Sequence, residues 1–120
     1  DAILVKDNHL LASLGIIEAV KALRTKISHV LKIEVEVDRV EQIDPLISAG
    51  ADIIMLDNME PDMMLKAVNL INGRAIVEAS GSINRENILA VAKSGVDVIS
   101  VGWITHSAPS LDLGLDFIDS

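Results

Sequence analysis

Two stretches 45 residues apart are near copies of one another: Ser48-Ala49-Gly50-Ala51-Asp52-Ile53-Ile54 and Lys93-Ser94-Gly95-Val96-Asp97-Val98-Ile99. Each has the form of a helix end, a glycine that closes it in a left-handed conformation, and then a buried strand. A chain that passes twice from helix through glycine into an apolar strand is assembled from helix–strand units. Such units make parallel sheets, because parallel neighbours need a crossover between them. Five strand-like runs carry the same rhythm along the chain: Ala2–Lys6, Lys32–Val37, Asp52–Asp57, Ala75–Ser80 and Asp97–Gly102.

The intervals between the runs are helical in pattern. Ile16, Val20, Leu23 and Ile27 recur at helical spacing after the first run. After the third, Pro61 suits a first helical turn, and Leu65, Val68 and Ile71 form a stripe. After the fourth, Asn84 is an N-cap for a helix carrying Ile88 and Val91. In the second interval Asp38 and Glu41 have capping-box spacing, while Pro45 interrupts the pattern and shortens the helix. Met55, Met59, Met63 and Met64 serve as core and edge filling. With 120 residues and no linker or low-complexity tract, the chain is expected to form one α/β domain.

Charge and composition exclude several classes of function. Ten Lys and Arg against eighteen Asp and Glu leave a net charge of −8, and Trp103 and Phe117 are the whole aromatic complement. Nucleic-acid binding needs a basic face or stacking aromatics, and this chain has neither. No apolar run is long enough to span a bilayer, and the N-terminus carries no secretory pattern. Without cysteine there is no disulfide framework, thiolate metal site or cysteine nucleophile. A cytoplasmic location is the expectation that fits.

Strand side chains alternate between faces, so the polar residues sort themselves. In Lys32-Ile33-Glu34-Val35-Glu36-Val37 the charged residues share one face. On the later runs Asp57, Ser80 and Gly102 end the corresponding faces. Stacked by position, Glu36, Asp57, Ser80 and Gly102 form one layer, above Glu34, Met55, Glu78 and Ser100. An open sheet covered by helices on both sides would bury those glutamates against apolar helices, at several kcal/mol each unless paired. A (β/α) barrel turns them into its mouth instead, where barrel enzymes carry their active sites. A strand written KIEVEV also fits an edge strand with its charged face in water.

Five blocks occur in order: Val5-Lys6-Asp7-Asn8-His9, Glu34-Val35-Glu36-Val37-Asp38, Ile54-Met55-Leu56-Asp57-Asn58, Glu78-Ala79-Ser80-Gly81-Ser82-Ile83 and Val101-Gly102-Trp103-Ile104-Thr105-His106-Ser107. Together they resemble the quinolinate phosphoribosyltransferases, also called nicotinate-nucleotide pyrophosphorylases (carboxylating). The resemblance covers essentially the whole chain. It implies that residues 1–120 are a partial barrel domain, the last strands of an incomplete TIM-like barrel, without the family's amino-terminal sandwich domain and first barrel strands.

The implied reaction, in NAD biosynthesis, joins quinolinate to phosphoribosyl pyrophosphate with Mg²⁺ and yields nicotinate mononucleotide, pyrophosphate and CO₂. By the same resemblance, Glu36 and Asp57 would stabilise the oxocarbenium-like ribose left when pyrophosphate departs. They would also orient ribose hydroxyls or the Mg²⁺ that the substrate carries in. Lys6 would meet a quinolinate carboxylate. Ser80, Gly81 and Ser82, leading into a helix N-terminus, would hold phosphate together with Gly102, Trp103 and His106. Two residues depart from the family pattern: Ser82 stands where a glycine or similar small residue is usual, and Trp103 replaces a smaller residue.

The resemblance also implies a homodimer; both substrates are anionic, and Lys6 is the only obvious cation in the motif blocks. The family's other cations come from upstream segments and the partner subunit. The chain on its own is therefore expected to be inactive. The competing reading is a stand-alone flavodoxin-like (βα)₅ module that binds a phosphate-bearing ligand, or nothing, without catalysis. Leu111–Phe117, alternating with period two, is expected to be a further strand.

Overall fold

A computed structural model describes residues 2–6 and 13–101 of the chain. The elements run β1 (Ala2–Val5), α1 (Ser13–Lys26), β2 (Lys32–Val37), a 3₁₀ turn (Val40–Gln42), α2 (Ile43–Ala49), β3 (Ile53–Asp57), α3 (Pro61–Ile71), β4 (Ile76–Ser80), α4 (Ile88–Lys93) and β5 (Val98–Ile99). Gly102, Trp103, His106 and the Leu111–Phe117 strand lie outside the described residues.

All four strand pairs are parallel, in the spatial order β1-β2-β3-β4-β5. That order decides between the two architectures. Right-handed crossovers that always step in the same direction lay every helix on the same face of the sheet. A flavodoxin-like sheet must reverse direction once, with β2 at the outside of β1, to cover both faces. No reversal occurs here, so the flavodoxin-like alternative is not the fold this chain adopts. The sheet is a segment of a (β/α) barrel wall.

The core lies between that sheet and its helices. Ile33, Val35, Val37, Ile54, Leu56, Val77 and Ala79 are buried against Ile16, Val20, Ile43, Leu46, Met64, Ala67, Ile71 and Val91. The opposite face carries Glu34 and Glu36, then Ile53, Met55 and Asp57, then Ile76, Glu78 and Ser80. Among the described residues no helix covers this face, and Ile76 and Val98 are each 44% exposed on it.

Three local expectations are corrected by packing. On α3 the buried face is Met64, Ala67 and Ile71, with Leu65 on the surface beside Met63. Of the expected stripe of Leu65, Val68 and Ile71, Ile71 is in the core and Val68 packs against it, and only Leu65 faces outward. Before α2, Gln42 rather than Glu41 closes the turn: its Oε1 accepts the N–H groups of Asp38 and Arg39, both at 3.0 Å. Pro45 does not break α2. It sits in the first turn, where a missing N–H costs no helical bond.

Both near-copies pass through a positive-φ glycine, Gly50 and Gly95, but only the first leads into a buried strand: β3 is buried as expected, whereas on β5 Val98 is exposed and Ile99 half-buried. The two copies share a device at the amino ends of their strands. Asp52 N–H donates to Ile33 C=O, and its carboxylate accepts the Ile33 N–H at 2.9 Å. Asp97 does the same to Val77, with the N–H bond to its carboxylate at 2.8 Å. Each aspartate thus pins its own strand to the preceding one.

Candidate active site at the carboxyl ends of the strands

Asp57 and Ser80 are register partners, the last pair of the β3–β4 ladder. Beyond them the chain turns sharply on both strands. Asn58 (φ 55°), Gly81 (φ 77°) and Ser82 (φ 53°) all take the left-handed conformation. Asn58 N–H donates to Ser80 C=O at 3.0 Å, extending the ladder by one step. The Ser82 hydroxyl donates to Asn58 Oδ1 at 2.7 Å. A Cβ on Gly81 would stand 2.5 Å from Asn58 Oδ1 and 3.1 Å from Asp57 Oδ1, so only glycine brings this backbone so close to the β3 rim. Asp57, Ser80, Gly81 and Ser82, expected to act together, are therefore brought together.

Glu36 is placed differently from the expected layer. Its register partner is Met55, whose partner on the far side is Glu78, and Glu78 in turn faces Val98. Glu36 thus belongs to the row below Asp57 and Ser80. Strand-end position in the sequence does not fix register, because neighbouring strands of a barrel are staggered. Lys6 is exposed and follows Val5, which pairs with Val35, so Lys6 and Glu36 continue the next row on adjacent strands.

Under this rim is a cluster of carboxyl groups. Glu34 is 2% exposed, and its side chain hydrogen-bonds that of Glu78. Glu78 Oε2 accepts the Ser100 hydroxyl at 2.7 Å. Burial, chiefly, then the hydrogen bond to Glu78 and the charges of Glu78 and Glu36, push the Glu34 carboxyl from 4.5 up to about 8. Its surroundings accordingly favour the neutral, protonated form of Glu34. Its Oε2 is buried without a hydrogen-bond partner among the described residues.

The loop after β4 does not end in an open helix terminus as expected. Asn84 Oδ1 accepts the N–H groups of Glu86 and Asn87, and Asn87 Oδ1 accepts that of Asn84 in return. Asn84 thus caps the turn ahead of α4, while the N-cap of α4 itself is Asn87 rather than the expected Asn84. Among the described residues, the N–H groups of Gly81, Ser82 and Ile83 donate to no backbone carbonyl. The loop's own amides are what an anion would meet here.

Asn58 and Asn87 were assigned no role from sequence, although Asn58 directly follows Asp57. The signal available was weak: an asparagine tolerates a left-handed φ, but so does any turn asparagine.

The family described as quinolinate phosphoribosyl transferase, C-terminal domain, matches residues 1–116. The chain belongs to this family. It is 42% identical over 125 aligned positions to the probable nicotinate-nucleotide pyrophosphorylase [carboxylating] of Methanocaldococcus jannaschii, covering 98% of this chain and 44% of that protein. The protein of the same name from Bacillus subtilis is 43% identical, covering 97% of this chain and 40% of its own length. Among solved structures, the nicotinate-nucleotide pyrophosphorylase of Ehrlichia chaffeensis superposes with a TM-score of 0.77 at 41% identity, covering 89% of this chain and 39% of that one. The chain thus spans about two fifths of the length of these relatives. No helix among the described residues is long and apolar enough to cross a membrane.

Proposed function

We propose that this chain supplies the carboxyl-terminal barrel segment of a quinolinate phosphoribosyltransferase, which converts quinolinate and phosphoribosyl pyrophosphate to nicotinate mononucleotide, pyrophosphate and CO₂. The observation that carries this reading is the junction of β3 and β4. A carboxylate, Asp57, stands beside a tight loop whose amides donate to no backbone carbonyl among the described residues, on the strand-end rim of a barrel. Barrel enzymes of this architecture act at that rim.

In this reading Asp57 and Glu36 hold negative charge close to the ribose as its bond to pyrophosphate breaks and positive charge grows on the sugar ring. The amides of Gly81 and Ser82 bind the phosphate of the ribose, and Lys6 pairs with a carboxylate of quinolinate. Gly102, Trp103 and His106 complete the phosphate side, and a homodimer supplies further cations. Among the described residues no group of three or more His, Cys, Asp and Glu side chains is placed to hold a metal ion. In this reading Mg²⁺ enters as the counter-ion that the diphosphate substrate brings with it, near Glu36 and Asp57.

The test is steady-state kinetics of the complete protein. Glu36→Gln and Asp57→Asn are each expected to lower kcat by about 10²-fold, roughly 2.7 kcal/mol, with little change in KM. The contact matters only where charge develops, in the transition state. Near-normal kcat in both variants would remove the two carboxylates from this role, and absence of nicotinate mononucleotide from the unaltered protein would overturn the reading.

A further inference from the structure

We infer that the Ser82 hydroxyl and the Asn58 side chain form a lock that fixes the Ser80–Ser82 loop to the end of β3, making both of them positioning residues. The inference deepens the function proposed above, since the loop's role as a phosphate cradle rests on that reading. The lock itself is defined by contacts that do not.

Ser82 is held on two sides. Its hydroxyl donates to Asn58 Oδ1 at 2.7 Å, and its carbonyl accepts from Asn87 Nδ2 at 2.8 Å. Asn87 is in turn bonded to Asn84, the cap of the following turn. One chain of hydrogen bonds thus runs from the β3 end through the loop to the entrance of α4. Asn58 is fixed independently by its N–H bond to Ser80 C=O at 3.0 Å.

The backbone argues that the Ser82 bond matters. At φ 53° a serine sits in a region that glycine enters freely and other residues avoid. In that conformation its hydroxyl and its carbonyl both have partners, Asn58 Oδ1 and Asn87 Nδ2, which offset the strain. Gly81, immediately before it, rests against Asn58 and Asp57 with no space for a Cβ. The loop backbone is therefore seated on the two residues that end β3. Any slackening at Ser82 moves the Gly81 and Ser82 amides relative to the Asp57 carboxylate.

This gives the Ser82 side chain a task other than ligand contact. Its hydroxyl is spent on Asn58, and its amide is what remains for an anion. A preformed cradle binds its ligand without the cost of ordering the loop. Losing the lock should weaken binding at the loop and leave the bond-breaking step largely alone.

The experiment uses Ser82→Ala, Asn58→Gly, Asn58→Asp and the double variant Ser82→Ala/Asn58→Gly in the complete protein. Asn58→Gly keeps access to the left-handed φ, and Asn58→Asp keeps an acceptor for the hydroxyl. The first readout needs no substrate: amide hydrogen exchange of a peptide spanning residues 78–84. Ser82→Ala and Asn58→Gly should each speed exchange by about five- to ten-fold, the double variant no more than either, and Asn58→Asp should stay near the unaltered rate. Unchanged exchange in the single variants, or additive effects in the double, would overturn the lock.

The second readout is kinetic. In an active protein, KM for phosphoribosyl pyrophosphate should rise about five- to ten-fold in Ser82→Ala while kcat stays within about two-fold. A fall in kcat with unchanged KM would overturn the positioning role. If the unaltered protein makes no nicotinate mononucleotide, the proposed function fails and the exchange data still decide the lock.

Discussion

Glu34 is the residue whose chemistry depends most on where it is folded. It occurs in a run that alternates charged and apolar residues, and by sequence it differs little from Glu36 two positions on. In the fold it is 2% exposed, bonded to Glu78, and its carboxyl is raised to about 8. The folded chain therefore binds this proton more tightly than the unfolded chain, where the value is 4.5. Below 4.5 both states are protonated and the buried acid costs nothing through ionisation. As pH rises from there through about 8 the folded state loses stability relative to the unfolded one. Burial of the carboxyl sets most of this dependence, and Glu78 and Glu36 on the same face add to it, with Ser100 bonded to Glu78. Glu34→Gln is expected to flatten that slope. Its thermal midpoint should match the parent near pH 5 and exceed it by several degrees near pH 8.5. A parent chain whose stability does not fall across that window would show that Glu34 is ionised. Lys6→Ala tests a different residue on the same face: KM for quinolinate should rise, with affinity for phosphoribosyl pyrophosphate little changed.

At the scale of elements, the repeated glycine–aspartate passage separates what the two copies share from what they do not. Both aspartates accept a backbone N–H from the neighbouring strand. Only Asp52 also pairs with an arginine, Arg24 of α1, and this ion pair is mostly buried, with the side chains 26% and 30% exposed. Arg24 packs over Gly50 as well, where a Cβ would stand 3.1 Å from its Cγ. Asp52 thus joins a helix and two strands, while Asp97 is exposed and among the described residues joins strands alone. Asp52→Ala is expected to cost about 2–3 kcal/mol and Asp97→Ala about 1 kcal/mol, measured by urea unfolding. Equal losses would mean that the Arg24 contact adds nothing to the strand bond.

For the whole molecule, one covered face and one uncovered face follow from strand order alone. The uncovered face combines exposed Ile76 and Val98 with the Glu34–Glu36–Glu78 cluster, on a chain of net charge −8. The two anionic substrates of the proposed reaction would meet an acidic rim here, and the relatives matched are more than twice as long as this chain. The 120-residue chain by itself is accordingly expected to form no nicotinate mononucleotide from quinolinate, phosphoribosyl pyrophosphate and Mg²⁺. It is also expected to associate through the edges of β1 and β5, which have no second partner strand among the described residues, seen as a sedimentation coefficient that rises with concentration. Product above that of an Asp57→Asn control would show that the site is complete within these residues.

Local pattern determined a good deal here. Alternation in Lys32–Val37 and the glycines that close the helices follow from short-range sterics and hydrogen bonding, so they were legible without the fold, whereas the cap of α4 fell on Asn87 and not on Asn84. The five motif blocks likewise marked Asp57, Ser80, Gly81 and Ser82 before any geometry was known. Tertiary structure decided the remainder. The one-directional strand order excluded the flavodoxin-like sheet, and the register moved Glu36 a row away from Asp57. Packing chose Met64 over Leu65 for the core and turned Ser82 towards Asn58, 24 residues away in sequence. Those outcomes depend on which strands lie side by side and how far each is shifted. A periodicity of two or 3.6 residues carries no information about either, because it describes one element and not its distance from the next.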